Sequence, residues 1–436
     1  PEGMVESCME FLRICVAENF TDVVISIKAS NTVVMVKTVR LLVDVMEKEG
    51  MAFPLHLGVT EAGDGEDGRI KSALGIGALL SDGLGDTIRV SLSEAPEAEI
   101  PVARKLVDYV LLRQEHPYIP GLEAPEFNYL SPERRKTKAV RNIGGEHVPV
   151  VIADRMDGKT EVNPQFTPDY IYAGRALPEQ REEGVEYILD ADVWQGEAGT
   201  WPAFNHAQLP LMGECDAALK FLFIPYMAQT DEVIACLKYH PEVVIISQSN
   251  HPNRLGEHRA LVHQLMTEGL QNPVVFFQHY AEDDAENLQI KSAADMGALI
   301  FDGLCDGIFL FNQGSLSHAV VDATAFGILQ AGRTRTSKTE YISCPGCGRT
   351  LYDLEKTIAR IKAATSHLKG LKIGIMGCIV NGPGEMADAD YGYVGAGRDK
   401  ISLYKGKVCV EKNIPEEEAV ERLLEFIRTD REENQQ

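Results

Sequence analysis

The sequence lacks the features that assign a chain at once to the membrane, to export or to nucleic acid. It has no run of about 18 or more apolar residues, and its first residues do not join a basic stretch to a short apolar block, so neither a spanning helix nor an export signal is predicted. Positive charge is also scarce, because 65 acidic residues face 42 basic ones and the formal net charge is −23. This balance argues against nucleic acid or an anionic membrane as the main partner, and a phosphate ligand would need a locally basic pocket.

The cysteines are not spaced as in a protein held together by disulfide bonds. Nine cysteines occur in 436 residues, and most of those outside the C-terminal part stand singly in apolar segments, which suits a reducing compartment rather than a disulfide scaffold. These single cysteines are Cys8, Cys15, Cys215, Cys236 and Cys305. At roughly 150 residues per domain, a chain of this length is expected to form about three domains.

The first 20 residues read as a helix already under way. One apolar stripe at helical spacing is formed by Met4, Cys8, Phe11, Leu12 and Cys15. Because a mature protein rarely begins so abruptly, we expect further residues upstream of Pro1.

Apolar runs alternate with helix-length segments at intervals of about 30 residues, the pattern of parallel βα units in an α/β fold. The first runs are residues 22–27, 54–59 and 86–92, and similar runs resume at residue 147. Between them, residues 112–145 are rich in proline and carry a basic cluster, which predicts a solvated connection rather than a binding patch. The cluster consists of Arg134, Arg135, Lys136, Lys138 and Arg141.

The chain repeats itself at an offset of 220 residues. Residues 70–88 (IKSALGIGALLSDGLGDTI) match residues 290–308 (IKSAADMGALIFDGLCDGI) at 12 of 19 positions without a gap. The same offset, or one residue less, relates the preceding strand-like runs. The sequence therefore predicts a duplicated βα unit.

The two copies differ where their strands end. Four polar residues of the first copy, Lys28, Glu61, Arg89 and Ser91, are replaced in the second by Gln248, Tyr280, Phe309 and Phe311. Because the chemistry of a parallel barrel sits at the carboxyl ends of its strands, the four polar residues are candidate working residues. The alternative is neutral drift of solvated strand ends.

Three thiols near the C-terminus are spaced like a site. Cys344 and Cys347 lie in SCPGCGRT, and Cys378 lies in MGCIVNGPGEM. Thiolates bind both iron-sulfur clusters and zinc, so the spacing predicts a metal but leaves an iron-sulfur cluster, zinc and a redox disulfide as alternatives. A fourth ligand for zinc is not evident, since His367 is expected on a helix surface and Cys409 in a strand.

The glycine-rich loop after Cys378 contains a carboxylate, that of Glu385. Gly382, Pro383 and Gly384 turn the backbone and place Glu385 seven residues beyond the thiol. An iron held by carboxylate oxygen is freed for substrate more easily than one held by thiolate. The alternative is an acidic turn residue in water.

These strings, together with HLGVTEAG at residues 56–63 and GDTIRVSL at residues 85–92, resemble the 4-hydroxy-3-methylbut-2-enyl diphosphate synthases of isoprenoid biosynthesis. The resemblance extends over the whole chain and fits the three-domain form of plants and some bacteria. It implies a cytoplasmic enzyme of bacteria or a plastid enzyme of plants. The reaction implied is a two-electron reductive opening and dehydration of 2-C-methyl-D-erythritol 2,4-cyclodiphosphate, with flavodoxin or ferredoxin as electron donor.

The resemblance also implies site residues. A 4Fe-4S cluster would be held by Cys344, Cys347, Cys378 and Glu385. Lys28, Arg89, Ser91 and Asn381 would bind the substrate, and Glu61 would be the acid placed against it.

A division of the chain follows from the same resemblance. Residues 1–111 would form the second half of a catalytic TIM-type barrel, 112–145 a linker, 146–325 an inserted degenerate barrel-like domain and 326–436 an α+β iron-sulfur domain. The arginine-bearing first half of the barrel is not found before Lys28, so we expect the chain alone to be inactive. The rival functions are a zinc-stabilised, phosphate-binding transferase and a non-enzymatic electron-carrying module.

Overall fold

A computed structural model describes residues 1–159, 161–350 and 352–433. They form two compact units. The first unit comprises Pro1–Ile76, Gly83–Lys105 and Thr336–Gln436, and the second comprises Gly77–Asp82 and Leu106–Arg335. Within the described ranges, no helix is both long enough and apolar enough to cross a membrane.

The first unit begins with helices that alternate with short parallel strands. The elements in this part of the chain are α1 (Glu2–Ala17), α2 (Thr32–Lys48), β1 (His56–Gly58), α3 (Gly65–Ser81), β2 (Thr87–Arg89) and α4 (Glu99–Leu111). β1 pairs in parallel with β2, and Ile25 forms an isolated parallel bridge with Leu55. The sequence predicts a strand at residues 22–27, but within that range only Ile25 forms a β-bridge.

The helix predicted for the first 20 residues is confirmed as α1. Val5, Met9 and Leu12 are its buried residues, whereas Phe11 is 67% exposed. The apolar stripe through Met4, Cys8, Phe11, Leu12 and Cys15 lines an open cavity of about 610 Å³ beside residues 23–28.

The second unit contains a closed barrel of eight parallel strands. The strands are β3 (Val150–Asp154), β4 (Tyr170–Gly174), β5 (Glu186–Asp190), β6 (Thr200–Asn205), β7 (Lys220–Pro225), β8 (Val243–Gln248), β9 (Val274–Tyr280) and β10 (Gly307–Asn312). The barrel closes because β10 pairs with both β9 and β3. The helices in this part of the chain are α5 (Leu209–Glu214), α6 (Asp231–Tyr239), α7 (Arg254–Thr267), α8 (Ala285–Phe301) and α9 (His318–Ala331).

Apolar side chains of successive strands, among them Ile152, Ile188 and Phe221, fill the barrel. Val140 and Ile143, which precede the first strand, belong to the same core. The barrel-like domain predicted from sequence is confirmed, and it is complete in strand number rather than degenerate.

The basic cluster before the barrel is only partly solvated, so the expectation of a solvated connection was wrong for Arg135. Its side chain is 7% exposed and donates hydrogen bonds to the carbonyl oxygens of Leu270 (2.6 Å) and Asn272 (3.0 Å). Burial lowers the pKa of Arg135 to about 10. The guanidinium satisfies backbone acceptors and therefore has a structural role.

The two copies of the repeat pair their strands in the same register. Ile25 lies opposite Leu55 in the first copy, and the equivalent Ile245 lies opposite Val274 in the second. The residue pairs between β1 and β2 recur at the same offsets between β9 and β10. Helices α3 and α8 have identical bounds once the offset of 220 is applied. The duplication predicted from sequence is confirmed as a duplication of structure.

The C-terminal part of the first unit is a mixed five-stranded sheet in the order β11-β12-β13-β14-β15. These strands are β11 (Glu340–Ser343), β12 (Lys372–Met376), β13 (Tyr391–Gly397), β14 (Lys400–Lys405) and β15 (Val408–Pro415), with helices α10 (Leu354–Thr365), α11 (Gly382–Glu385) and α12 (Glu416–Glu433). The first three strands run parallel and the later pairings are antiparallel. Exposed His367 follows α10 instead of lying within it, because the helix ends at Thr365.

Equivalent aspartates precede the last strand of each copy. The Asp86 carboxylate accepts the backbone N–H of Leu55 (2.8 Å), and that of Asp306 accepts the N–H of Val274 (3.0 Å). Asp86 is exposed, whereas Asp306 is 3% exposed and also accepts a bond from Arg134 (3.3 Å). The same interaction is therefore solvated in one copy and buried in the other.

Because loss of a partner costs most when the remaining donor is buried, Asp306→Ala is expected to lower the free energy of unfolding by about 2–3 kcal/mol. The matched change Asp86→Ala should cost less than about 1 kcal/mol, since Asp86 is exposed and its hydrogen bond to Leu55 is only partly buried. Urea denaturation of both variants measures the difference. Equal losses would contradict the burial argument.

Candidate functional site

Polar side chains stand at the carboxyl ends of β1 and β2, as the strand-end argument requires. Arg89 is the last residue of β2, and its guanidinium lies 3.4 Å from the hydroxyl of Ser91. Ser91 is 4% exposed and Glu61 is 6% exposed. The backbone of Glu61 has φ = +50°, a left-handed conformation that a non-glycine residue adopts at a cost, and such strain is concentrated at functional sites.

The three thiols follow neighbouring parallel strands. Cys344 comes directly after β11, and Cys378 follows β12 by two residues. The backbone N–H of Gly377 donates to Cys344 Sγ (3.3 Å), and that of Arg349 donates to Cys347 Sγ (3.4 Å). All three cysteines are free thiols in the structure. Backbone N–H groups aimed at sulfur favour the thiolate, the form that binds metal.

The strand-end residues and the thiols line one cavity of about 220 Å³. Eight of the nine site residues predicted from sequence meet there: Glu61, Arg89, Ser91, Cys344, Cys347, Cys378, Asn381 and Glu385. Asn381 directly precedes α11, and its carbonyl oxygen accepts the N–H of Glu385 (3.0 Å). The short helix thus brings an amide and a carboxylate to the same wall as Cys378.

Lys28 is the predicted residue that the cavity does not include. It lines the open cavity beside α1, and a Cβ built on Gly58 would come within 3.0 Å of both Lys28 Cε and the Arg89 carbonyl oxygen. Burial and the neighbouring Arg89 lower the pKa of Lys28. Lys28 and Arg89 therefore form a basic pair at the strand ends, as an anionic ligand would require in an acidic protein.

Residues 1–104 match the family described as GcpE TIM-barrel domain, and residues 340–429 match the GcpE protein C-terminal domain. A Bacteroides thetaiotaomicron protein named 4-hydroxy-3-methylbut-2-en-1-yl diphosphate synthase (flavodoxin) is 94% identical over 99% of this chain and 71% of its own length. Proteins of the same name from Bacteroides fragilis and Porphyromonas gingivalis are 83% and 48% identical, each over 98% of this chain and 68% of the relative. This chain belongs to the 4-hydroxy-3-methylbut-2-en-1-yl diphosphate synthase family.

The electrostatics of the cavity in this synthase-family chain favour a protonated carboxyl. The pKa of Glu61 is raised to about 7, mainly by burial and also by the nearby Glu385, although Thr60 and Arg89 oppose the shift. Burial also raises the pKa of Cys344, whereas the Arg349 N–H lowers that of exposed Cys347. Glu61 can therefore hold a proton near neutral pH, as a general acid must.

The thiols surround the cavity without converging on one point. Among the residues that the structure describes, no group of three or more His, Cys, Asp or Glu side chains is arranged to hold a metal ion. A four-iron cluster gives each iron its own protein ligand and so needs donors spread around a cavity. The donor set of three thiols and one carboxylate, which line one cavity, fits such a group in its chemistry.

Two residues of this site were missed from sequence. Arg349 lines the cavity beside Cys347, and its position within SCPGCGRT, next to two thiols, was the available signal. The hydroxyl of Ser93 lies 2.7 Å from that of Ser343 and donates to the carbonyl oxygen of Cys344 (3.1 Å). Ser93 ties the first cysteine to the end of the β2 segment, a contact that only the fold reveals.

Ion pairs also join the residues around the start of α3 to the C-terminal part of the first unit. Lys338 contacts Glu66 (2.6 Å) and Asp67 (2.8 Å) at the start of α3, and Lys362 contacts Asp64 (2.5 Å). Burial alone would raise the pKa of Asp67, but the surrounding lysines bring the pKa below its ordinary value. We name this group the lysine clamp: Lys338 and Lys362 with Asp64, Glu66 and Asp67.

Because of the lysine clamp, the free energy of unfolding is expected to decrease at acid pH. A carboxyl whose folded pKa lies below its unfolded value stabilises the fold above the unfolded pKa, and that stability is lost as the pH falls through the folded pKa. Asp67→Asn should therefore lower the thermal midpoint at pH 7 and narrow the difference in midpoint between pH 7 and about pH 3.5. Thermal unfolding at both pH values measures this, with Asp44→Asn, which removes a solvated helical ion pair, as control. A pH dependence that is the same in Asp67→Asn and in the unchanged chain would contradict the assignment.

Proposed function

We propose that this chain carries the active site for the reductive ring opening of 2-C-methyl-D-erythritol 2,4-cyclodiphosphate to 4-hydroxy-3-methylbut-2-enyl diphosphate. The chain spans 71% and 68% of the length of two relatives, and turnover is to be measured with the expected first half of the barrel restored. The reaction consumes two electrons and two protons and releases one water. The observation that carries the proposal is the cavity in which Glu61, Arg89 and Ser91 meet three thiols, Asn381 and Glu385. The names of the relatives support the same reaction.

We infer that Cys344, Cys347, Cys378 and Glu385 hold a 4Fe-4S cluster. When bound, the cluster would supply single electrons and an iron with Lewis acidity. Glu385 is the weakest of the four ligands because a carboxylate matches a soft iron centre less well than a thiolate does. The thiolates therefore supply most of the binding energy of the cluster, and the carboxylate modifies the properties of one iron.

The remaining residues bind and protonate the substrate. Lys28 and Arg89 supply positive charge for the diphosphate, and Ser91 adds a hydroxyl within reach of Arg89. Charge-assisted bonds of this kind are the strong ones in a site that excludes water. Asn381 offers an amide from the opposite wall. Glu61, buried and protonated near neutral pH, donates a proton to the departing hydroxyl.

Flavodoxin is the electron donor we propose, since the relatives' names specify it. The bacterial cytoplasm is the compartment we propose, because the relatives are bacterial. The division into a half-barrel (1–111), linker (112–145), inserted barrel (146–325) and cluster domain (326–436) remains part of the proposal. A zinc-stabilised transferase is not favoured, since the relatives' names specify a diphosphate synthase and flavodoxin. An electron-carrying module would not need Glu61, Arg89 and Ser91.

Glu385→Gln and Cys378→Ser test whether the carboxylate is a weak ligand and the thiolate a strong ligand of the cluster. In protein purified without oxygen, Glu385→Gln should retain most of its iron, because three thiolates remain, while the Mössbauer signal of one iron changes. Cys378→Ser should lose cluster and activity together. Loss of all iron in Glu385→Gln, or an unchanged spectrum, would contradict the assignment of Glu385 as a ligand.

Glu61→Gln tests the acid. The amide keeps the size of the side chain but carries no transferable proton, so product formation should fall by about 100-fold or more with iron content unchanged. The control Glu97→Gln changes an exposed carboxylate outside the cavity and should leave turnover unaltered. Turnover of Glu61→Gln close to that of the unchanged protein would remove Glu61 from the mechanism.

A further inference from the structure

A second cavity opens at the carboxyl ends of the strands of the closed barrel. Its volume is about 480 Å³, within the roughly 300–1,000 Å³ of small-molecule sites. Residues from β4 to β10 line it, and this end of a parallel barrel is where ligands bind. It shares no residue with the cavity around the thiols.

The floor of this barrel-mouth cavity is aromatic. The rings of Phe277 and Phe309 pack edge to face at 4.9 Å, and Tyr172 lies 5.7 Å from Phe309. Phe223 completes the layer, 5.6 Å from Tyr172, and half-buried Phe311 rises from it 5.9 Å from Phe277. Phe309 is buried, whereas Tyr172, Phe223, Phe277 and Phe311 are half-buried. The negative π face of an accessible ring attracts cations.

The charged residues that line the cavity are two carboxylates, Asp190 and Asp192, and one guanidinium, Arg175. The Tyr172 hydroxyl donates to Asp190 (2.6 Å) and fixes its orientation. Arg175 pairs closely with Asp192 (2.8 Å) and forms a longer ion pair with Asp190 (3.9 Å). One guanidinium thus serves two carboxylates, and the lining keeps a net negative charge beside the aromatic floor. Within the described part of the chain, the amide of Gln248 at the end of β8 makes no hydrogen bond and is also available.

The repeat shows that this mouth has exchanged one ligand chemistry for another. Gln248 stands where the first copy has Lys28, and Phe309 and Phe311 stand where it has Arg89 and Ser91. The groups suited to a phosphate are thus replaced by an amide and two rings in the same strand register. A phosphate at this mouth would meet Asp190 and Asp192 without a basic pair of the kind found in the first copy.

We propose that the barrel-mouth cavity binds a small organic cation, a primary amine with an apolar or aromatic body. The ammonium group pairs with the Asp190 carboxylate, and the body lies on the half-buried rings of Tyr172, Phe277 and Phe311. The charge attraction and the π faces act on the same ligand and favour the cation over a neutral or anionic molecule of the same shape.

Calorimetry on the full chain with three probes of one shape tests the proposal: 2-phenylethylamine, 2-phenylethanol and phenylacetate. The amine should bind about tenfold more tightly than the alcohol, and phenylacetate should give no binding heat. Asp190→Asn, in which the amide oxygen still accepts from Tyr172, should reduce the affinity for the amine to that for the alcohol. Phe311→Leu should weaken amine binding a few-fold, because the leucine keeps apolar area but has no π face.

Glu186→Gln is the matched control, since it removes a carboxylate from the opposite end of the same strand, β5. Amine affinity should be unchanged in this variant. The proposal fails if phenylacetate binds as tightly as the amine, if no probe binds, or if Asp190→Asn and Glu186→Gln have the same effect. The comparison of the three probes on the unaltered chain tests it even if a variant does not fold.

Discussion

The attachment of the cysteine-bearing loop to the strand ends is the constraint on which the candidate site depends. The lysine clamp and the hydroxyl contact between Ser93 and Ser343 join residues that lie 250 to 298 positions apart in the sequence. The cavity that results is lined by Glu61, whose pKa is raised by burial, and by the three thiols. The proposed reaction needs an acid, a basic pair and a redox group to act on one molecule, so it depends on this attachment.

The duplication shows which features of the scaffold the two copies share. Strand register, helix bounds and the aspartate that caps the strand loop are common to both copies. The strand ends are not, and they are the part of a parallel barrel that meets ligands. Backbone pairing therefore constrains the shared residues, whereas ligand chemistry determines the ones that differ. The complete closure of the second barrel explains why its interior remains well packed although its mouth has changed.

Much of the site could be predicted from sequence because its residues lie in local patterns. The thiol spacing, the glycine-rich loop and the strand ends of the repeat identified seven residues that line one cavity, and the family resemblance added Asn381. The spacing of apolar residues predicted helix α1 but not its buried face, which only packing determines. The role of Arg135 was missed because its partners are backbone carbonyls more than 130 residues away. Ser93 and the lysine clamp were missed for the same reason, since neither forms a local pattern.

Metal and sulfide analysis of protein purified without oxygen tests the central claim most directly. If Cys344, Cys347, Cys378 and Glu385 hold a 4Fe-4S cluster, the preparation is brown and contains about four irons and four acid-labile sulfides per chain. A colourless preparation with one tightly bound zinc and no labile sulfide would contradict the account.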